Sequence, residues 1–121
     1  MVHDMTSFGE YLRTRREELR VSDSSFSVRQ VAARVGVEPS YLSKVERGLQ
    51  PPPSEQTTRR LAEALDEDVD VLLAMAGKVS SDLAAIIRSR PRLFAELLRQ
   101  LKDMPETAVL RIVREVRDGQ W

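Results

Sequence analysis

The stretch of residues 27–48 constrains the fold of this 121-residue chain more than any other feature. Its first part places small apolar residues at the spacing of one helical face: Val28, Val31, Ala32 and Val35. Ser27 precedes this stripe, where its hydroxyl can cap the first free N–H groups of a helix. Gly36 follows the stripe and predicts the end of that helix.

A second helix is predicted to begin at Pro39, because proline suits the first helical position and the carboxylate of Glu38 suits a helix N-terminus. Leu42 and Val45 are expected to face inward. The outward positions are Ser40, Tyr41, Ser43, Lys44 and Arg47. A turn this tight crosses two helices steeply and exposes the second one, which is the geometry that the major groove of DNA accepts. The residues therefore indicate a helix-turn-helix that reads DNA.

The chain over residues 8–77 resembles the Xre/Cro/phage-repressor family of DNA-binding domains. The matching residues are Ala32 and Gly36 as the small residue and turn glycine, Leu42 and Val45 as the buried pair, and Glu46-Arg47-Gly48 as the closing segment. The resemblance implies an all-α fold, with a five-helix lambda-repressor-like DNA-binding domain in residues 1–77 and a small helical segment after it. It also implies double-stranded DNA as a partner and repression as the activity.

The outward side of the second motif helix supplies the predicted DNA contacts. Base-edge contacts are predicted for Ser40, Ser43 and Lys44. Lysine favours the hydrogen-bond acceptors of guanine, whereas a serine hydroxyl can form a hydrogen bond with either base of a pair. Contacts to the DNA backbone are predicted for Ser27, Arg29, Tyr41 and Arg47. Tyr41 can alternatively touch a thymine methyl group. The alternative for Ser40 and Ser43 is that they are ordinary polar surface residues without a DNA contact.

Arg16 and Glu46 form a predicted structural pair. In the resembled phage repressors an arginine of the first helix pairs with the glutamate of the closing segment, and both positions match here. Such a pair would hold the second motif helix, the recognition helix, in place. The alternative is that Arg16 is one of several arginines on the first helix that reach solvent or DNA.

The charge of the chain is balanced overall and uneven along its length. Nineteen basic and nineteen acidic residues cancel, whereas a DNA-binding protein usually carries a positive surface. Residues 13–47 hold eight basic and five acidic residues, an excess of three, while residues 55–70 hold six acidic residues. This distribution favours a modest positive face and weak, salt-sensitive affinity for phosphates.

Three further helices are predicted around the motif. The first is capped by Thr6 or Ser7 and is followed by a loop over residues 21–26, which is longer than the resembled family usually has. Ser54 and Asp68 are expected to cap the other two, after three consecutive prolines that cannot be helical. The expected inward faces are Phe8, Leu12 and Leu19; Leu61, Ala62 and Leu65; and Val69, Leu72, Leu73 and Ala76.

Residues 78–121 carry three more predicted helices, each with an apolar stripe and a basic flank. Because so short a segment cannot bury its stripes alone, it is expected to fold against the first domain or a second chain. The candidate dimer interface consists of Phe94, Leu97, Leu98, Leu101, Val109, Ile112, Val113 and Val116. The segment has nine basic and six acidic residues, which suit the rim of an oligomer interface or a further DNA contact.

Two functions remain open at this point. The first is a transcriptional regulator that acts as a homodimer on a palindromic operator. The second is an antitoxin or immunity-type regulator, whose C-terminal helices bind a partner protein such as a toxin or a metalloprotease and whose DNA binding is autoregulatory.

Composition excludes several other classes of protein. The chain has a single histidine, His3, and no cysteine that could join it as a nucleophile or metal ligand. Asp66, Asp68 and Asp70 imitate the start of a calcium loop, but Val71 stands where that loop needs glycine. These aspartates are interpreted as helix caps. No apolar run approaches the ~20 residues of a membrane span. A cytoplasmic protein without enzymatic activity, cofactor, metal or membrane contact is expected.

Overall fold

The computed structural model describes residues 7–119, and every regular element within them is helical. The all-α class expected from the sequence is therefore confirmed. The chain divides into two compact units, a first unit that ends at Ser80 and a second unit that begins at Ser81. The first unit contains α1 (Phe8–Arg20), α2 (Val28–Val35), α3 (Pro39–Glu46), α4 (Glu55–Ala64) and α5 (Val69–Met75). The second unit contains α6 (Ser81–Ser89), α7 (Pro91–Leu101) and α8 (Glu106–Asp118).

The five helices of the first unit share one apolar core. α1 packs on α3, α2 packs on both α3 and α4, and α4 packs on α5. The buried core residues are Phe8, Leu12, Val31, Ala32, Val35, Leu42, Val45, Leu61, Ala62, Leu65 and Leu72. Each fully buried leucine or valine contributes about 1.5–3 kcal/mol relative to an exposed one, so this cluster is the main source of stability.

Serine and aspartate side chains cap the helices of the first unit. The hydroxyls of Ser7, Ser27 and Ser54 each accept a hydrogen bond from a backbone N–H in the first turn of their helices, at 3.1, 3.2 and 3.3 Å. Asp68 caps α5 by accepting from two backbone N–H groups, at 2.8 and 3.2 Å. The alternative cap of α1, Thr6, and the single histidine, His3, lie outside the described residues.

The interpretation of three aspartates as caps is correct only for Asp68. Asp66 follows the end of α4 in the left-handed conformation, with φ 54°. The backbone N–H of Glu67 then donates to the carbonyl of Ala62 at 2.8 Å, which closes the last turn of α4. Asp70 lies within the first turn of α5. Both residues belong to helix ends, but neither side chain is an N-cap.

Residues 21–26 are not a simple loop, because a short 3-10 turn spans Ser24–Phe26. The guanidinium of Arg34 on α2 lies over the ring of Phe26, 4.5 Å from its centroid, and donates to the carbonyl of Ser25 at 2.8 Å. Asp23 accepts from the N–H of Ser25 at 2.9 Å. These contacts anchor the connection to the helix that follows it.

Gly9 brings the backbones of α1 and α3 into direct contact. A Cβ atom at this position would lie 2.2 Å from the carbonyl oxygen of Val45 and 2.7 Å from that of Glu46. No other residue type fits this approach, since real Cβ atoms do not come so close to a backbone oxygen. The glycine therefore sets how closely the first helix approaches the end of α3.

The first unit continues beyond Gly77, where the sequence suggested a domain boundary. Gly77 ends α5 with φ 74°, and the N–H of Lys78 donates to the carbonyl of Leu73 at 2.9 Å. The ammonium group of Lys78 donates to the carbonyl of Pro53, also at 2.9 Å, and Ser80 is buried.

The second unit has a different character. It contains three helices, the number predicted, but none of its described residues is buried. Four residues of the predicted interface are half-buried: Phe94, Leu101, Val109 and Ile112. The other four are exposed: Leu97, Leu98, Val113 and Val116. Among the helices of residues 7–119, none is both long enough and apolar enough to cross a bilayer.

Candidate nucleic-acid interface

The centre of the site is the pair α2 and α3 with the turn between them. Gly36 has φ 86°, and the N–H groups of Gly36 and Val37 both donate to the carbonyl of Ala32, at 2.8 and 3.0 Å. Pro39 then begins α3 at its first position. Leu42 and Val45 are each 2% exposed and hold one side of α3 against the core. The opposite side of α3 is left at the surface.

The three predicted base-contacting residues all lie on α3. Ser40 and Lys44 are exposed and are four residues apart, so they lie one turn from each other on the same side of the helix. Ser43 is half-buried. Its position between the surface and the core leaves less of its side chain available to a ligand than the sequence pattern suggested.

The four residues predicted to contact the DNA backbone are in different situations. Arg29 is exposed on the first turn of α2, next to the cap that Ser27 forms. Arg47 is exposed at the end of α3, and its Nε donates a long hydrogen bond of 3.4 Å to the carbonyl of Ser43. Ser27 uses its hydroxyl oxygen to cap α2.

Tyr41 is not fully outward, in contrast to the sequence-based expectation. It is half-buried and packs against the apolar core. The reason is its place directly before Leu42, where a large ring at the flank of the buried stripe gains contact area by lying against its neighbours. Only the exposed part of the side chain can meet a ligand.

Arg16 and Glu46 form a buried, two-pronged ion pair. The Nε of Arg16 lies 2.7 Å from one carboxylate oxygen of Glu46, and its Nη2 lies 2.9 Å from the other. The two residues are 3% and 6% exposed. A further Nη1 hydrogen bond of 3.2 Å reaches the carbonyl of Phe26. This hydrogen bonding to Glu46 raises the pKa of Arg16 above its usual value. One guanidinium thus joins α1, the 3-10 turn and the last residue of α3.

A second polar cluster was not found from the sequence. The hydroxyl of Tyr11 donates to Glu67, and the Nε of Arg15 lies 3.1 Å from the other carboxylate oxygen. Arg15 also donates to the carbonyl of Leu65 at 3.0 Å. The hydrogen bond to Glu67 raises the pKa of the Tyr11 hydroxyl. The cluster ties α1 to the connection between α4 and α5, on a side of α1 that the apolar pattern alone does not describe.

The described residues contain no arrangement suited to a metal ion. Within residues 7–119, no three side chains of His, Cys, Asp or Glu lie together as ligands.

Three relatives in sequence are named as transcriptional regulators of the helix-turn-helix type. An uncharacterized regulator of Mycobacterium tuberculosis is 42% identical over 69 residues, which is 57% of this chain and 45% of that protein. The repressor RghR of Bacillus subtilis is 37% identical over 75 residues, a match that covers 62% of this chain and 52% of RghR. The regulator SlrR of B. subtilis is 31% identical over 100 residues, a match that covers 71% of this chain and 66% of SlrR. The chain spans about half the length of the first two relatives.

A solved structure of the SinR protein/SinI protein complex is similar in fold. Its TM-score is 0.50 at 23% sequence identity, and the match covers 93% of this chain and 99% of that one. At this identity the likeness concerns the fold alone.

The family of the first unit follows from its match to a family model. Residues 7–75 match the model of a helix-turn-helix domain. That range runs from the cap of α1 to the last residue of α5, and it includes the buried ion pair and the exposed side of α3. The resemblance to Xre-type domains that the motif residues indicated is confirmed, and the chain belongs to the helix-turn-helix domain family.

Proposed function

We propose that this chain is a sequence-specific DNA-binding transcriptional regulator that acts as a repressor. The observation that carries the proposal is the exposure of Ser40 and Lys44 on a helix whose other side is held in the core by Leu42 and Val45. The names of its relatives as transcriptional regulators, RghR as a repressor among them, support it. We expect a cytoplasmic location and no enzymatic activity.

Within this proposal the residues of α3 divide into two roles. Ser40, Ser43 and Lys44 contact base edges, with Lys44 directed to guanine acceptors. Arg29 and Arg47 contact phosphates, together with the capped N-terminus of α2 at Ser27 and the exposed part of Tyr41. The buried pair of Arg16 and Glu46 contacts no base and holds the end of α3 in position. A phosphate contact fixes register, whereas a base contact decides which sequence is bound.

The test begins by selecting a preferred site from a pool of random DNA duplexes. Lys44→Ala should weaken binding to the selected site by about 1–3 kcal/mol and leave binding to random DNA nearly unchanged. Arg29→Ala should weaken both, and it should reduce the slope of log K against log salt by about one unit. Lys102→Ala serves as the lysine control, because it removes an exposed charge from the second unit.

Two outcomes would contradict these assignments. Equal losses on selected and random DNA for Lys44→Ala would remove this residue from the base-reading set. A pool that yields no enriched sequence, with wild-type protein that binds no duplex, would contradict the proposed function itself.

We further propose that the second unit forms a homodimer. Two recognition helices are needed to read a site of useful length, and a twofold dimer places them about 34–36 Å apart on a palindromic operator. The predicted interface includes Leu97, Leu98, Val113 and Val116, all of them exposed in the single chain. Leu93 and Leu110, which the sequence prediction omitted, are 64% and 44% exposed and enlarge the same apolar surface.

The dimer is tested by sedimentation of the full chain. Leu97→Asp combined with Leu98→Asp should convert a dimer into a helical monomer with much weaker binding to the selected site. A matched control is Val21→Asp with Leu49→Asp, because those residues are 89% and 63% exposed on the first unit. A wild-type chain that sediments as a monomer at every concentration would exclude the homodimer.

The second candidate is a partner protein on the same apolar surface, as expected for an antitoxin or immunity-type regulator. The exposed leucines and valines of α7 and α8 favour a partner protein as much as a second copy of this chain, because an apolar surface can be covered by either. A solved structure of similar fold is itself a complex of two different proteins. A toxin or metalloprotease is the class of partner to be tested. A monomeric chain that binds such a protein through α7 and α8 would establish this alternative.

A further inference from the structure

A cleft of about 240 Å³ lies between α1 and α3 of the first unit. It borders the exposed side of the recognition helix, because Ser43 contributes to its wall and Val28, the first residue of α2, to its edge. Four arginines line it: Arg13, Arg16, Arg20 and Arg47. The residues predicted to contact base edges or the DNA backbone do not include Arg13 or Arg20. We call this feature the arginine cleft.

The arginines of α1 share one face of that helix. Arg13, Arg16 and Arg20 are three and seven residues apart, a spacing that aligns side chains along one side of an α-helix. Arg16 is buried at the base of this face, whereas Arg13 and Arg20 are exposed on either side of it. Arg13 and Arg20 therefore lie one helical turn before and after the buried Arg16, and Arg47, directly after α3, lines the same cleft.

The charge of the arginine cleft is positive after its internal pairs are counted. Arg16 and Glu46 neutralise each other at 2.7 and 2.9 Å. Glu17 is the other carboxylate of the lining, and it lies 3.3 Å from Arg16 and 3.9 Å from Arg20. After the pair of Arg16 and Glu46 is set aside, the lining keeps three arginines and one glutamate, an excess of two positive charges: Arg13, Arg20 and Arg47 against Glu17. Among the described residues, neither Arg13 nor Arg47 has a carboxylate within 4.0 Å.

We propose that the arginine cleft binds one phosphate group of the DNA backbone, with Arg13 and Arg20 of α1 as contacts that the two motif helices do not supply. The inference rests on the proposed function. Guanidinium groups hold phosphate oxygens with paired hydrogen bonds, and two or three of them around one pocket match the charge and geometry of a phosphodiester. Because Ser43 belongs to both the cleft and the recognition helix, a phosphate bound here lies beside the groove that α3 enters.

The role of Arg16 and Glu46 in this arrangement is to shape the cleft. Their mutual hydrogen bonds leave no net charge on the floor, so the anion meets Arg13, Arg20 and Arg47 without a bare carboxylate directly beneath it. Glu17 shares its oxygen between Arg16 and Arg20, which reduces its repulsion toward a bound anion. A bound phosphate would in turn link α1 to the recognition helix.

The experiment removes the two cleft arginines that the motif does not contain. Arg13→Gln combined with Arg20→Gln is compared with wild type for binding of a random-sequence duplex of about 24 base pairs over a range of salt. The affinity should fall about tenfold at low salt, and the slope of log K against log salt should fall by about 0.9, the value for one lost phosphate contact. The control is Arg60→Gln with Arg114→Gln, which removes two other exposed arginines and should change neither quantity appreciably.

A rescue separates charge from structure. Arg13→Lys with Arg20→Lys keeps both positive charges and should restore the salt slope, with part of the affinity lost because lysine cannot form paired hydrogen bonds. Circular dichroism and the thermal midpoint should be equal in all variants, since both side chains are exposed.

The outcomes separate this proposal from the proposed function. Wild-type protein that binds the duplex together with a glutamine variant of equal affinity and slope would overturn the phosphate site alone. A lysine variant with the same deficit as the glutamine variant would also overturn it, because charge would not be the cause. Wild-type protein that binds no duplex would overturn both proposals.

Discussion

The two units contain helices of the same amphipathic kind, but only the first unit buries its apolar residues. Leu42, Leu61 and Leu72 of the first unit are at most 2% exposed. Leu93, Leu97 and Leu98 of the second unit are 44–64% exposed. Periodicity thus predicts where a helix forms and which side of it is apolar. Whether that side is buried depends on how many other helices meet it.

The difference has a physical basis in the size of each unit. Five helices of the first unit surround one another, so the stripes of α2, α3 and α4 find partners on several sides. The described part of the second unit has only three helices, so their apolar stripes meet fewer partners. Under the proposed function, the apolar surface left exposed there is the interface for another chain.

Removing one partner of the buried ion pair should have the largest effect. Arg16→Ala and Glu46→Ala should each lower the free energy of unfolding by about 3–5 kcal/mol, because each leaves a buried charge unpaired. The double variant should lose less than the sum, and urea denaturation in a double-mutant cycle measures this coupling. Arg117→Ala is the contrast from the second unit, since its pair with Asp118 is 65% exposed at both side chains and its loss should change nothing measurable. Additive effects of the first two changes would mean that the pair is not coupled.

The same substitution in both units tests the comparison directly. Leu72→Ala should cost about 2–5 kcal/mol, because it leaves a cavity at a position that is 0% exposed. Leu98→Ala, at 56% exposed, should cost less than about 0.5 kcal/mol in dilute protein. Thermal unfolding at several protein concentrations gives both values. A loss for Leu98→Ala that appears only at high protein concentration would show that this leucine is buried between chains, as the proposed dimer requires. A loss as large as that of Leu72→Ala in dilute protein would break the comparison.

The contact between α1 and α3 gives the third prediction. Gly9→Ala should cost about 3 kcal/mol, since the new methyl group collides with the carbonyl oxygens of Val45 and Glu46. Gly48→Ala is the control, because no atom lies within 4 Å of its Cβ position and only its φ of 75° is strained. It should cost about 1 kcal/mol. Equal losses in chemical denaturation would mean that the two helices can separate at little cost.

The Tyr11 cluster predicts an alkaline loss of stability that resides in the first unit. The hydrogen bond to Glu67 raises the pKa of Tyr11 in the folded state. The protonated hydroxyl therefore adds its full contribution to the free energy of unfolding below the unfolded-state pKa of about 10. That stabilisation is lost as the pH rises through the higher folded-state pKa. Tyr11→Phe should lower stability by about 1.5 kcal/mol at neutral pH and remove this part of the alkaline decline. Tyr41→Phe should retain the decline, and denaturation between pH 7 and pH 11 would show whether it does.

The smallest expected effect is a gain. Asp66→Gly should stabilise the first unit by about 0.5–1 kcal/mol, because glycine adopts the left-handed conformation at the end of α4 without strain. Asp66→Asn should be close to neutral, since asparagine tolerates the same conformation. Thermal denaturation resolves both changes. A loss of stability in Asp66→Gly would show that the aspartate side chain contributes a contact that outweighs its strained backbone.

The parts of the fold that sequence could predict are those with local causes. Ser27, Gly36 and Pro39 act within one helical turn of their own positions, so the ends of α2 and the start of α3 were predictable. Leu42 and Val45 followed from helical spacing. The pairing of Arg16 with Glu46 was implied only by resemblance, because 30 positions separate them and no local rule joins them.

The features that sequence did not reveal depend on neighbours distant in the chain. Gly9 is required by a backbone 36 residues away, as the Val45 contact shows. The half-burial of Tyr41 depends on what fills the space beside α3. The 3-10 turn at Ser24–Phe26 is held by Arg34, a cation that the pattern of apolar residues cannot assign. The one available hint for Gly9 was a glycine inside a predicted helix, where it weakens the helix unless packing requires it.

Contact between main-chain atoms at Gly9 seats the recognition helix without help from its outward side chains. Ser40 and Lys44 lie at the surface, away from that contact, and can be exchanged without displacing the helix axis. Under the proposed function, the residues that recognise the bases and the residues that position the recognition helix are therefore separate sets. A protein of this design can acquire a new target through substitutions on one surface, while its scaffold stays unaltered.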